Sequence, residues 1–324
     1  MNAVKPLGLL LALVASPGFT LSFDTYPAAR QFVGQLARRH GIDPQVLTAA
    51  LRDAEIKTTI LRAMRRPAEG KPWPEYRKIF LTRKRIDQGV AFWKRHRALL
   101  ERVQRTYGVP AQILVAILGV ETFYGTRTGS FRVLDALATL AFAYPRRADF
   151  FRRELEQFFL LTREEGMDPR RPLGSYAGAM GWPQFMPSSY RRYATDFDGD
   201  GKRDIWNNPA DVIASIANYF VEHGWQKDEP VAAPLPKVAV ALADTDLQPR
   251  RTLAELKAQG LSGLDLPYPD SRKAVVMVFD GDGEPEAWLG FPNFYVITRY
   301  NHSRLYAMAV YQLSEAIRSR VGAP

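Results

Sequence analysis

Apolar residues recur at helical spacing from residue 25 to residue 96, as in Phe32, Leu36 and Val46-Leu47, with Gly41-Ile-Asp-Pro44 as a connector. Between Pro110 and Gly125 the pattern changes. Ile113 to Val120 is almost wholly apolar, so the segment reads as a buried helix opened by Pro110 and closed by Gly125. Val133 to Phe142 reads as a second apolar helix, stopped by Tyr144-Pro145, and Phe150 to Thr162 as an amphipathic one through Leu155, Phe158, Phe159 and Leu161. Pro209 to His223 is helical again. From Val231 to Phe291 prolines at 234, 236, 249, 267 and 269 break the chain, and Val238 to Ala241 and Ala274 to Phe279 read as strands. Asp280-Gly-Asp-Gly283 fits a hairpin turn. A last helix carries the stripe Tyr306, Val310, Leu313 and Ile317. The expected class is mainly α (α+β), partitioned as 1–22 leader, 23–100 helical region, 101–230 central core, 231–292 small β-containing domain and 293–324 returning C-terminal segment.

Lys5 followed by the apolar run Leu7 to Ala15, broken by Pro17-Gly18, has the form of a secretory signal peptide with cleavage near Ser22. The run is too short for a stable membrane span. With no cysteine in 324 residues, disulfides and a lipidated N-terminal Cys are both excluded, so a soluble monomer in the periplasm is expected. The net charge of +10 points to an anionic partner, and export argues against nucleic acid. The arginine pairs 65-66, 146-147, 152-153 and 170-171 fall on polar segments and read as solvated faces.

Three stretches carry chemistry. Glu121 lies four residues after Ile117 and three before Tyr124, so it is expected to share an apolar and aromatic stripe. A carboxyl held there without a cation keeps its proton to higher pH, as a general acid requires. Such a glutamate also occurs as a hydrogen-bonded core residue, and the motifs downstream decide in favour of catalysis. Gly174 to Ser189 sets Ser175 and Gln184 among glycines and apolar residues including Met180 and Phe185. That composition suits hydroxyl and acetamido groups better than a charged ligand. Asp196, Asp198, Asp200 and Asp204 with Gly201 occupy positions 1, 3, 5, 9 and 6 of an EF-hand-like loop, and Lys202 supplies the position 7 carbonyl. Position 12 is Asn207, so a later acid such as Asp211 has to complete the shell, with Asp204 and Asn207 as competitors. The proline-interrupted segment Lys71 to Phe80, with Tyr76, reads either as a groove wall or as a helix staple.

Together, Val-Glu121-Thr-x-Tyr-Gly125, Ser175-Tyr-Ala-Gly-Ala-Met-Gly-x-x-Gln-Phe-Met-Pro-Ser188, the Asp-x-Asp-Gly-Asp-Gly loop and Tyr300-Asn-His-Ser303 with Tyr306-Ala-Met-Ala-Val310 resemble the B-type lytic murein transglycosylases. The resemblance covers nearly the whole chain after the leader. It implies a lysozyme-like helical core with a further helical region and a small β-containing domain. It also implies Glu121 as the single acid and base, and Tyr76, Ser175, Met180, Gln184, Phe185, Tyr219, Tyr300, Asn301 and Tyr306 as groove residues. Asp196, Asp198, Asp200, Lys202 and Asp211 match its structural Ca²⁺ (or Na⁺) loop; no cofactor is expected for catalysis. The implied reaction cleaves the β-1,4 bond between N-acetylmuramic acid and N-acetylglucosamine and leaves a 1,6-anhydromuramoyl end. The implied partners are glycan strands and proteins of wall synthesis. A lysozyme-type hydrolase, a non-catalytic wall-binding protein and a calcium sensor are the alternatives; an intact Glu121 and a single EF-like loop weigh against the last two.

Overall fold

A computed structural model describes residues 19–22, 25–65, 71–261 and 266–322. The breaks between helices follow from local chemistry. Gly41 ends Pro27–His40 in the left-handed region (φ 60°), and the Asp43 carboxylate opens Pro44–Asp53 by accepting the Gln45 N–H at 2.8 Å. Thr58–Ala63, Trp73–Phe80, Arg83–Arg95 and Arg97–Tyr107 complete the N-terminal helices.

The next helix, Ala111–Thr122, has no polar face, and every residue from Ile113 to Gly119 is buried. Such a helix needs cover on all sides. The C-terminal helix Arg304–Val321, together with Arg83–Arg95, Arg97–Tyr107 and Pro209–Glu222, supplies part of that cover. Val133–Ala143 and Ala148–Glu164 pack on each other, and Pro187–Tyr193 lies on the latter. The expected stripe Tyr306, Val310, Leu313 and Ile317 is buried throughout.

The Glu121 helix stops earlier than expected. It ends at Thr122, and two non-glycine residues, Phe123 (φ 52°) and Tyr124 (φ 61°), turn the chain before Gly125. Tyr124 therefore leaves the stripe predicted to contain Glu121. Its hydroxyl donates to the Arg85 carbonyl at 2.8 Å, between the bare backbones of Gly89 and Gly119. A Cβ on Gly119 would stand 2.6 Å from that hydroxyl oxygen, so glycine is what admits the tyrosine.

Residues 232–290 form a four-stranded antiparallel sheet in the order Ala232–Leu235, Glu286–Gly290, Lys273–Phe279, Arg251–Thr252. The predicted strand over Ala274 to Phe279 and its hairpin at 280–283 are present: Phe279 pairs with Glu286. The predicted strand at Val238 to Ala241 is not. Lys237–Leu242 is a 3₁₀ helix that buries Ala239 while Val238 stays 64% exposed. The strand lies just upstream and includes Pro234, which has no N–H to give and is accommodated because this strand is at the sheet edge.

One continuous core joins Phe32 and Leu36 of the first helix, Leu114 and Leu118, Phe158, Ile213 and Val310; a smaller one lies around Val276, Leu289 and Leu253. The expected leader lies mostly outside the described residues. Its expected end near Ser22 falls inside folded structure, because Phe19–Thr20 pairs with Glu55–Ile56 and Leu21 is 2% exposed in the large core.

Candidate active site and metal loop

Glu121 is in the last turn of its helix, partly open to solvent, and Tyr306 from the C-terminal helix donates its hydroxyl to Glu121 Oε1 at 2.5 Å. Burial raises the Glu121 carboxyl from the ordinary carboxylate range to about 7, and the Tyr306 hydrogen bond opposes the rise in part. No charged neighbour among the described residues contributes to it. Tyr306 and Tyr300 are themselves pushed well above the usual tyrosine range, first by burial and then by the Glu121 carboxylate, so both remain hydroxyl donors. Tyr76 is close enough to influence Tyr306. Four predicted residues thus meet: Glu121, Tyr76, Tyr300 and Tyr306.

The loop 174–186 forms the neighbouring wall. Met180 bridges to Gly174 and to Phe185, which folds the loop on itself. Ser175 Oγ accepts from the N–H groups of Ala177 and Ala179 at 3.3 and 3.1 Å, which leaves its proton to donate elsewhere. Gln184 sits at φ 54° and donates Nε2 to the carbonyls of Thr128 (3.1 Å) and Gly181 (2.8 Å), so its Oε1 stays an acceptor.

Met180 and Phe185 are 0% and 2% exposed. Both lie in the core beneath the wall, and Phe185 stacks near Tyr219 and Tyr300 at 5.7 and 6.0 Å. The Tyr219 hydroxyl is spent on the Arg299 carbonyl (2.6 Å) and that of Tyr300 on the Pro183 carbonyl (2.7 Å). These two bonds tie the helix Pro292–Tyr300 to Pro209–Glu222 and to the wall. Asn301 follows the helix Pro292–Tyr300 in extended conformation, partly exposed. Tyr76 sits at 8% exposure between Trp73 and Phe80, so the two readings of its segment divide: Trp73, 1% exposed, is the staple, and Tyr76 faces the acid's partner.

The sequence reading missed the support beneath the acid. Arg85, 8% exposed, donates Nε to the Gly119 carbonyl at 3.0 Å and Nη1 to the Ile79 carbonyl, with its guanidinium 4.9 Å from the Phe123 ring. Its register was the available signal, since it shares a helix face with the buried Gly89 and Phe92. Thr122, next to the acid, donates to the Trp182 carbonyl at 3.1 Å and ties the helix end to the loop.

The metal loop is built separately. Asp196, Asp198 and Asp211 bring one carboxylate oxygen each within 4.8 Å of one another. Gly199 (φ 80°) and Gly201 (φ 85°) let the loop curl so that Asp196 accepts the N–H groups of Gly199, Asp200 and Gly201. Asp211 is fully buried at the start of Pro209–Glu222 and accepts the N–H groups of Phe197 and Asp204 at 2.8 Å each. Its carboxyl is raised by burial, opposed by those N–H groups and reinforced by Asp198 and Asp196. Asp204 is turned away, taking the N–H groups of Trp206 and Asn207. Asp200 Oδ1 takes the Lys202 N–H at 2.9 Å. Three crowded carboxylates, one buried, are a hard-oxygen donor set that fits a calcium-class cation.

A groove with one acid raised toward neutral by burial, flanked by tyrosines and an amide, on a mainly helical body with a lysozyme-like core defines a glycan-cleaving enzyme. Residues 24–315 match the transglycosylase SLT domain family, and the chain belongs to it. It is 44% identical over 305 residues to the membrane-bound lytic murein transglycosylase B of Escherichia coli, covering 91% of this chain and 84% of that one. Among solved structures it is similar to the soluble lytic transglycosylase SltB1 from Pseudomonas aeruginosa, with 50% identity, a TM-score of 0.84 and coverage of 92% and 100%. It is also similar to the Escherichia coli lytic transglycosylase Slt35 in complex with calcium, with 42% identity, a TM-score of 0.85 and coverage of 94% and 97%. The mainly α, lysozyme-like class read from the sequence therefore stands.

Proposed function

We propose that the protein is a peptidoglycan lytic transglycosylase in which Glu121 works alone, first as acid and then as base. The observation that carries this reading is the setting of Glu121, in the last turn of an apolar helix with the Tyr306 hydroxyl on its Oε1 and, among the described residues, no charged group opposing the burial that raises it to about 7. Near neutral pH it has a proton to give to the glycosidic oxygen as positive charge develops on the muramoyl ring. The ionised carboxylate is then held by the Tyr306 hydroxyl at 2.5 Å. It takes the proton of the sugar's own 6-hydroxyl, which attacks the anomeric carbon and closes a 1,6-anhydro ring. An intramolecular nucleophile has a high effective concentration, so neither a second carboxylate nor a positioned water is required. Ser175, Gln184 and Asn301 offer a donor, an acceptor and an amide to the sugar hydroxyl and acetamido groups, and Tyr76 offers a ring edge.

The metal loop serves stability, with Asp196, Asp198 and Asp211 as carboxylate ligands of Ca²⁺ or Na⁺ and with Asp200 and the Lys202 carbonyl completing the shell. The site of action is the cell envelope, as a periplasmic monomer on glycan strands, with recruitment by wall-synthesis proteins. Among the described residues no helix is long and apolar enough to cross a membrane. Because Leu21 packs in the core, the leader is cut ahead of Phe19 rather than near Ser22. The helical, catalytic and β-containing regions follow the partition 23–100, 101–230 and 231–292. Mass spectrometry of the products released from purified sacculi tests the chemistry. Anhydromuramoyl ends are expected, and reducing muramic acid ends would replace this mechanism with hydrolysis.

A further inference from the structure

None of the groove residues lies in the small four-stranded sheet, yet one of its hairpins touches two helices that carry them. Phe279 and Glu286 stand directly opposite each other on the strands Lys273–Phe279 and Glu286–Gly290. Cross-strand partners of this kind project from the same face of a sheet. On the helix Trp73–Phe80, Trp73 and Arg77 are four residues apart and likewise share a face. The two pairs meet. The Trp73 ring packs on Phe279 with centroids 5.3 Å apart, while Arg77 donates Nη1 to Glu286 Oε1 at 3.0 Å and Nη2 to Asp282 Oδ2 at 3.1 Å. An exposed ion pair alone would hold little. Here one planar fork spans two carboxylates beside two rings that are each 1% exposed, and the Arg77 and Glu286 side chains keep only 25% and 29% of their surface in water.

Phe279 has a second neighbour. Arg304, which opens the helix Arg304–Val321, sets its guanidinium 5.8 Å from the Phe279 ring, and Tyr306 follows two residues later. The base of the hairpin thus stands between the helix that carries Tyr76 and the start of the helix that carries Tyr306, the hydroxyl donor to Glu121. Tyr76 adjoins Arg77 in the chain and stacks on Trp73 with centroids 6.4 Å apart, so a shift of the pair Trp73 and Arg77 carries Tyr76 with it. The end of the same helix is fastened separately, by Arg85 at the Ile79 carbonyl. The hairpin therefore controls the part of the helix that Arg85 does not reach.

We propose that the hairpin 279–286 is a brace that sets the position of Tyr76 in the groove, with Arg77 as the positioning residue and Asp282 and Glu286 as its anchors. The assignment rests on the proposed reading of Tyr76 as a residue that touches glycan. It gives the β-containing region a role in substrate binding without contact with the substrate.

The test uses the full chain with Glu121→Gln, so that binding is read without cleavage, in calorimetric titrations with peptidoglycan glycan oligomers of one length. Tyr76→Ala is expected to weaken binding about tenfold and Arg77→Glu about fivefold. With Tyr76→Ala already present, Arg77→Glu should change the affinity by less than about twofold, because the brace acts through that ring. Exchanging the charges, by adding Asp282→Arg and Glu286→Arg to Arg77→Glu, should bring the affinity back to within about twofold of the parent. A residue that only held the fold would lower the melting temperature without this coupling. If Arg77→Glu does not fold, Asp282→Asn with Glu286→Gln cuts the brace from the hairpin side and is expected to give the same loss, again only where Tyr76 is present. Undiminished affinity when the brace is cut, a loss that persists in full without Tyr76, or one that the charge exchange does not recover overturns the brace and leaves the groove reading standing. An unchanged affinity for Tyr76→Ala would instead remove Tyr76 from the groove, and the brace with it.

Discussion

Glu121 and Asp211 are both carboxyls withdrawn from water in helices of one core, and burial raises both. Their surroundings differ. Among the described residues Glu121 meets a tyrosine hydroxyl and no charge, whereas Asp211 meets two backbone N–H groups and two further carboxylates. A lone buried acid with one neutral donor keeps a proton that it can pass on. Clustered acids with fixed N–H donors hold their charge in place and call for a cation to offset it. The same side-chain chemistry is thus given two roles by what stands around it.

Removing the proton from this comparison should have the largest effect. Glu121→Gln is expected to fold and to lower the rate of sacculus digestion by at least about 10³-fold, measured as release of soluble muropeptides. The same variant sharpens the contrast in stability. An acid raised from 4.5 in the unfolded chain to about 7 in the fold favours the native state at low pH. That advantage is lost as pH rises from about 4.5 through 7. Thermal unfolding of Glu121→Gln should therefore match the parent at pH 4 and exceed it at pH 8 by about 2–3 kcal/mol. A constant difference across this range would contradict the burial argument.

On the other side, Asp211→Ala is expected to lose about 2–3 kcal/mol of calcium-dependent stability, read as a lower melting temperature that a chelator no longer shifts. The parent chain, freed of copurified metal, should melt lower in chelator than in calcium, with the Glu121 pH profile unmoved. The smallest change is in the donor. Tyr306→Phe removes the group that restrains the rise of the Glu121 carboxyl, so the alkaline fall in activity should move to higher pH. A limb that stays in place, or moves down, would show that Tyr306 does not set the acid's proton affinity.

Much of this arrangement was legible in the chain because it is local. Gly41 and Asp43 mark a helix junction within three residues, Ile113 to Val120 announces a buried helix, and the metal loop is one continuous segment. Distant partners were legible only through resemblance to a family. Nothing near Glu121 in the sequence points to Tyr306, 185 residues away, or to Arg85 beneath Gly119. The two local misreadings have physical causes. Periodicity placed Tyr124 on the helix because it does not register a left-handed turn at non-glycine residues. At Val238 to Ala241 an apolar run next to Pro236 was too short to identify its own hydrogen-bond pattern.

The bond from Tyr306 to Glu121 also joins two distant stretches of the chain at the site. The stretch up to residue 290 holds the acid, the loop 174–186 and the metal ligands. It lacks Tyr300, Tyr306 and the helix Arg304–Val321 that packs on Ala111–Thr122. The proton donor and the groups that close over it thus come from separate stretches of the described chain and meet only in the folded core. A chain cut before residue 304 would keep the acid and the metal ligands but lose the hydroxyl that restrains the Glu121 carboxyl.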